Sequence, residues 1–411
     1  MFSRIGSPQS FLAVVFLVLT TAPSLLAESP QVTVRDVQGK THSGDLAELT
    51  EKSLTLSIEN QSQTFSMMEV WEIQLDHARL QPHLWDSVVF LANGDRLLTH
   101  PETIDETNAS LRWVAFPSWK SVNVPLETIS GMVLDVPEIG AVRSQALRTV
   151  MNREQKADVV DFKNGDQASG EFLGLTDKVL RLNSSVGETP IERSGIRLVT
   201  MNRELISFPK PQGPKLLLSL TDGSQITANA LSLENKEQLT VKATFGSTLD
   251  LPLSALRTVR PLSGRVVYLS DLKPAKYEHH PYLAGDWALK TDRNVLGTPL
   301  QLDGREYPKG VGMHSQSRVT YNLNGEYETF RATVGVDDAA KTGGSVVFVV
   351  EVDGKEVFRS KPQTAKNEAI PLEPISLERA KQLILRVEFA EFGDVLDYAD
   401  WADAVLIRTK P

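Results

Sequence analysis

Apolar and polar residues alternate through most of the chain from Gln31 to about Arg260, and helical spacing is rare there. Leu54, Leu56 and Ile58 fall at period two, as do Leu180 with Leu182 and Leu239 with Val241, the pattern of strands with one buried face. Four polar turns with glycine punctuate these runs: Val37-Gln38-Gly39-Lys40, Ala92-Asn93-Gly94-Asp95, Lys163-Asn164-Gly165-Asp166 and Thr221-Asp222-Gly223-Ser224. Each predicts a hairpin. Asn-Gly and Asp-Gly accept φ > 0 at both central positions, so a type I′ turn is expected. The runs also repeat. GDLAELTEKSLTLS from Gly44 aligns with GEFLGLTDKVLRLN from Gly170, matching Leu49, Thr50, Lys52 and Leu54 to Leu175, Thr176, Lys178 and Leu180. The pattern predicts four β-rich repeats, two over 31–135 and two over 158–260, with turns roughly 55 to 70 residues apart. Separate barrels and one continuous sheet both satisfy it.

Two stretches depart from alternation. VRSQALRTVMNREQKA, from Val142, lacks glycine and proline and spaces Val142, Leu147, Val150 and Met151 near the helical period. The connecting segment 136–157 is therefore expected to be helical, or else to begin a strand at Ala146. SFPKPQGPK, from Ser207, has three prolines and one glycine, which reads as a linker. A further boundary falls at 261–265. Beyond it, 265–411 reads as an all-β domain: Val319, Tyr321 and Leu323 alternate, and Val346–Val352 runs into an Asp353-Gly354 hairpin. The expected fold class is all-β, with repeated small barrel or meander units followed by a jelly-roll sandwich.

Two resemblances add to this. The repeat unit is similar in outline to the small Sm-like barrel. The C-terminal third carries YLSDLKP from Tyr268, LDGREYPKGVGMHSQSRVTYNLNGEYETFRATVGVDD from Leu302, GSVVFVVEVDGKEVFRS from Gly344 and DYADWADAVLI from Asp397. In that order these resemble the NPCBM family, a carbohydrate-binding module appended to glycoside hydrolases. The resemblance implies a galactose-binding-like jelly roll over 265–411 and a glycan partner. This chain has Tyr398 where the family pattern has histidine.

Candidate binding residues follow from side-chain chemistry. Trp287, in the loop-like AGDWALK, can stack on a pyranose ring, whereas Trp401 reads as core because DWADAVLI alternates like a buried strand. His314, within GVGMHSQS, can hydrogen-bond a sugar hydroxyl or a loop carbonyl. Tyr398, Asp337, Asp338 and Asp400 complete the expected carbohydrate set. The aspartates can equally be turn caps, or the acid and base of glycoside cleavage. No cofactor is required. Domains like the one the resemblance implies often hold a structural calcium, for which Asp338 and Asp403 are the candidate ligands.

Composition narrows the partners. A net charge of -9 over 411 residues, with no basic cluster, speaks against nucleic acid. There is no Cys, which excludes disulfides, thiolate metal sites and a lipid-anchored cysteine. The first 27 residues read as a signal peptide: basic Arg4, an apolar run over 11–19 and small Ala27. Secretion, or placement in the periplasm or cell envelope, is expected, with no membrane span after cleavage; a retained anchor is the alternative. No G-x-S-x-G, H-E-x-x-H, Walker or dinucleotide motif is present. The sequence therefore predicts an exported, non-catalytic binder of a polysaccharide or cell-envelope glycan, with the repeats as spacer or as docking surface for proteins. A cell-envelope structural or protein-interaction protein is the alternative.

Overall fold

The computed structural model describes residues 30–76, 86–210, 213–235, 237–282, 285–391 and 393–410; the expected signal segment at 1–27 lies outside the described residues. Four groups of strands share one pairing scheme. In the first, Gln31–Asp36 pairs with Thr41–Leu49, which pairs with Ser53–Ile58 and then Gln61–Ser66, while Val70–Leu75 returns to the opening strand. The groups from Asp158–Phe162 to Ile196–Thr200 and from Leu216–Leu220 to Leu256–Pro261 repeat it. The second group, from Val88–Leu91 to Ile129–Val133, differs in splitting its second strand at Leu98.

Local details recur as well. A 3₁₀ turn precedes each closing strand, at Met67–Glu69, Leu126–Thr128, Arg193–Gly195 and Leu253–Ala255. A register shift interrupts each second-to-third strand ladder, at Leu46/Glu48, Pro101/Thr103, Phe172/Gly174 and Ala228/Ala230. Such a bulge bends and twists the long strand so that it curls. The matched threonines act alike: Thr50 Oγ1 accepts from Ser53 N, and Thr176 Oγ1 from Val179 N, both at 3.0 Å.

The hairpin turns differ from the type I′ expectation. Gly39, Gly94, Gly165 and Gly223 have φ of 84°, 94°, 96° and 92°, but Gln38, Asn93, Asn164 and Asp222 are not left-handed. Each glycine N–H bonds the carbonyl three residues back, as Gly94 does to Leu91. The loops therefore have three residues, with one left-handed position that glycine fills. The preceding Asn or Asp instead accepts a backbone N–H: Asn93 from Asp95, Asn164 from Asp166 and Asp222 from Ser224.

The groups do not stack in chain order. The closing strand of the first pairs with that of the fourth, through Thr258 opposite Gln74 and Val259 opposite Ile73. The second and third join through Ile129–Val133 and Ile196–Thr200. Gln225 opposite Arg96 links the fourth to the second. One apolar core runs through all four and includes Leu54, Trp113, Leu180 and Val241. The helix Gly140–Asn152 buries Ala146 and Val150 against Val133 and Leu198, so no strand begins at Ala146.

The C-terminal part is a sandwich of a seven-stranded and a five-stranded sheet. The strand Tyr398–Arg408 lies between Gly310–His314 and Tyr327–Val336 in the larger sheet. Ser317–Asn322, Gln382–Phe389 and Val346–Val352 lie side by side in the smaller one. Trp401, fully buried as expected, meets Phe348 of the opposite sheet edge-on at 5.3 Å.

The sandwich is joined to the repeat array by buried charges. Arg260, 3% exposed, binds Asp403 at 2.6 Å and Glu72 at 3.2 Å. Arg265 bridges Glu69 at 2.7 Å and Glu328 at 2.9 Å. Val37 and Trp71 of the first group share an apolar cluster with Tyr268, Val405 and Ile407. At a second contact, Arg293 donates to the Met151 carbonyl at 2.7 Å and Asn152 to the Gly297 carbonyl at 3.2 Å, both at the C-terminal end of the helix.

Candidate functional site

Trp287, His314 and Tyr398 come from three distant stretches and meet at one end of the sandwich. His314 closes the strand Gly310–His314, and Tyr398, which opens the strand Tyr398–Arg408, pairs directly opposite it. Trp287 reaches them from the chain that follows Lys276–His279. Its indole stacks flat on the His314 ring, with centroids 4.6 Å apart and planes 2° off parallel; Tyr398 stands at 6.1 Å from Trp287 and 6.2 Å from His314. His279 meets His314 edge-on at 5.9 Å.

Hydrogen bonds hold the Trp287 backbone from both sides. Trp287 N donates to His279 Nδ1 at 3.3 Å, and Tyr277 Oη donates to the Trp287 carbonyl at 2.7 Å. The indole is thus fixed before a ligand arrives, and Trp287 remains half-buried, with part of its surface open. Burial, then the nearby His279, pushes His314 down to about 4. The imidazole is neutral at physiological pH, and its buried Nδ1 has no protein partner. A neutral ring beneath a tryptophan supports a flat apolar platform.

Around this platform lie groups that sequence reasoning passed over. Tyr282 is 64% exposed and meets Phe389 edge-on at 5.8 Å, with exposed Val395 and Leu396 in the neighbouring loop. Tyr282 N also donates to Asp394 at 3.3 Å. His279, the first of two adjacent histidines, has a side chain only 4% exposed. The sequence signal was a Tyr and a His at alternate positions of a short strand, Lys276–His279, too short to reveal which way each points.

The expected aspartates do not join the platform. Asp337 and Asp400 are 1% and 0% exposed, so neither reaches a ligand at the surface. Asp337 accepts from Asn294 Nδ2, Gln301 N and Ala339 N at 3.0, 3.0 and 2.8 Å. Burial, followed by the charge of Asp337, holds the Asp400 carboxyl well above the usual range. Asp338 caps a turn, accepting from Asp303 N at 3.1 Å and Gly304 N at 2.8 Å. Asp403, the other expected calcium ligand, has both oxygens on the Arg260 guanidinium. A cation at these oxygens would meet the repulsion of the Arg260 charge. No group of three or more potential metal ligands is gathered among the described residues.

Comparison with known proteins concerns the sandwich as a domain. The family model described as the NPCBM/NEW2 domain matches residues 265–407. A Renibacterium salmoninarum protein named as an endo-alpha-N-acetylgalactosaminidase is 33% identical over 115 residues, 28% of this chain and 8% of its own length. Alpha-1,3-galactosidase B of Akkermansia muciniphila is 28% identical over 121 residues, 28% of this chain and 15% of its own length. This chain thus spans only a small part of either relative. Among solved structures, the CBM51 module of Clostridium perfringens GH95, in complex with methyl-galactose, aligns with 34% of this chain and 99% of its own at 28% identity and a TM-score of 0.32. Residues 265–407 of this chain belong to the NPCBM/NEW2 family.

Proposed function

We propose that the protein is an exported, non-catalytic glycan binder whose sandwich recognises a sugar on Trp287 and Tyr398, with the buried His314 ring, 2% exposed, backing the indole and the repeat array presenting the site. The observation that carries this reading is the flat stacking of Trp287 on a neutral His314 in an NPCBM/NEW2 domain. A half-buried, pre-positioned indole offers a pyranose its open apolar surface at little ordering cost. Tyr398 stands beside Trp287, and Asp394 lies close enough to His314 to act on its charge, so both can supply polar contacts at the rim. The carboxylates best suited to acid-base cleavage, Asp337 and Asp400, are buried against one another, which favours binding without hydrolysis.

The full chain on a glycan array is the test, with Trp287→Ala alongside. Wild type is expected to retain a defined subset of glycans. The variant should lose about 1–3 kcal/mol for each sugar that stacks, by analogy with base-on-aromatic stacking. Absence of glycan binding by wild type, or unchanged binding by the variant, would reject the platform. Hydrolysis of a bound glycan would reject the non-catalytic part.

A further inference from the structure

A cleft of about 980 Å³ separates the repeat array from the sandwich. Its walls come from both parts: Asp95, Arg96, Arg203, Lys210 and Lys215 on one side, and Lys290, Arg293, Glu306 and Lys309 on the other. Many of these charges neutralise one another. Arg96 binds Glu306 at 2.8 Å, and Lys309 binds Asp271 and Asp292, both at 2.6 Å. Asp95 is buried and accepts from Thr227 N and Oγ1. Arg203, Lys210, Lys215, Lys290 and Arg293 have no salt bridge among the described residues; set against them are Glu154, the buried Asp95 and the second of the two carboxylates on Lys309. In a chain of net charge -9, a concave cleft whose lining has more Lys and Arg than Asp and Glu concentrates positive potential where the rest of the surface opposes it.

The two guanidiniums are held in place. Arg203 Nη2 and Arg293 Nη1 both donate to the Met151 carbonyl, at 3.3 and 2.7 Å, so each is fixed at the helix end with other N–H groups left over. Lys210 is exposed, and Lys215 and Lys290 are half-buried, so their ammonium groups are free to move onto a ligand. Lys290 also lies three residues from Trp287 and pairs with Gly312, two residues before His314. The platform and the cleft therefore flank the same short segment.

We infer that the cleft binds carboxylate or sulfate groups of the glycan, so that this protein selects an acidic polysaccharide over a neutral one. This rests on the glycan-binding reading above and adds the charge of the ligand. Fixed arginines supply directed hydrogen bonds and the mobile lysines supply charge, the division of labour expected for acid groups spaced along a polymer.

The experiment measures binding of the full chain to polygalacturonate, carrageenan and neutral galactan at low and high salt. The variants are Lys210→Ala/Lys215→Ala/Lys290→Ala and Trp287→Ala. Wild type is expected to prefer polygalacturonate, carrageenan or both; the first polymer reports carboxylate recognition and the second sulfate. The triple variant should lose about tenfold for the preferred acidic polymer, leave galactan unchanged and flatten the salt dependence. Equal binding of acidic and neutral polymers by wild type overturns the inference, as does a triple variant that keeps the preference. In both cases loss of binding in Trp287→Ala leaves the platform reading intact. No binding to any polymer would defeat both readings.

Discussion

Arg260→Met tests what joins the two parts of the molecule. Arg260, Glu72 and Asp403 are 3%, 7% and 6% exposed, and the guanidinium donates to Asp403 at 2.6 and 3.3 Å and to Glu72 at 3.2 Å. Methionine keeps much of the volume but strands two buried carboxylates. Removing one member of a buried ion pair costs about 3–5 kcal/mol, and we expect about 4 kcal/mol at pH 7. The pH dependence supplies a sharper check. Burial raises the Glu72 pKa while Arg260 leads the causes that lower it, to a net value below the usual range. In wild type its contribution is therefore present above the unfolded carboxylate pKa and lost as pH falls. Without Arg260, burial is left with much less opposition, the folded pKa rises, and the variant loses stability as pH climbs. The gap between the two proteins should shrink toward pH 4–5. Urea titration at pH 5 and pH 7, followed by tryptophan fluorescence, reads both, because Trp71 lies in the joining cluster. Arg260→Met/Glu72→Gln/Asp403→Asn should recover most of the loss. A cost under about 1 kcal/mol at pH 7, or one equal at both pH values, would falsify this account.

Other expectations concern single sites. Burial raises Asp397, which is 0% exposed and accepts Ser345 N at 2.7 Å, to about 6. Its contribution is full below pH 4 and lost as pH rises through about 6, so Asp397→Asn should flatten that slope by about 2 kcal/mol in urea titrations across pH 4–7. Asp400→Asn replaces an acid that burial and the nearby Asp337 charge hold well above its usual range with an uncharged amide of the same shape; thermal melts at pH 8 should show no loss, and a drop of several degrees would contradict that shift. Gly165 has φ of 96° and open space where a Cβ would stand. Gly165→Ala should therefore cost about 1–2 kcal/mol from backbone conformation alone, read as a lower denaturation midpoint.

Period-two alternation was enough to make the class all-β, and the match of 44–57 to 170–183 shows as one bulge and one threonine-anchored turn used twice. Turn type was misread because Asn-Gly is compatible with two- and three-residue loops, and the choice is made by where the strands stop pairing. Trp401 is core as expected, but not through alternation: every position from 399 to 407 is buried, as suits a central strand covered on both faces. Asp337 and Asp400 were not legible as buried: a carboxyl enters a core only with a partner, and theirs is 63 residues away in sequence. Trp287, His314 and Tyr398 could be named singly, but their meeting depends on the pairing of Gly310–His314 with Tyr398–Arg408. The basic cleft left no trace in the sequence because its five cations come from 203–215 and 290–293.

Only four residues, 262–265, separate the last strand of the array from Val266–Tyr268 of the sandwich. Fully extended, they reach about 14 Å, and Arg260 and Arg265 clamp both ends. A binding module on a long flexible tether gains avidity by searching a volume around its anchor. This one searches nothing. Whatever holds the array also fixes the direction in which the platform faces; on the proposed reading the molecule would be a bracket that sets the angle of a captured chain, and lengthening 262–265 should trade that angle for reach.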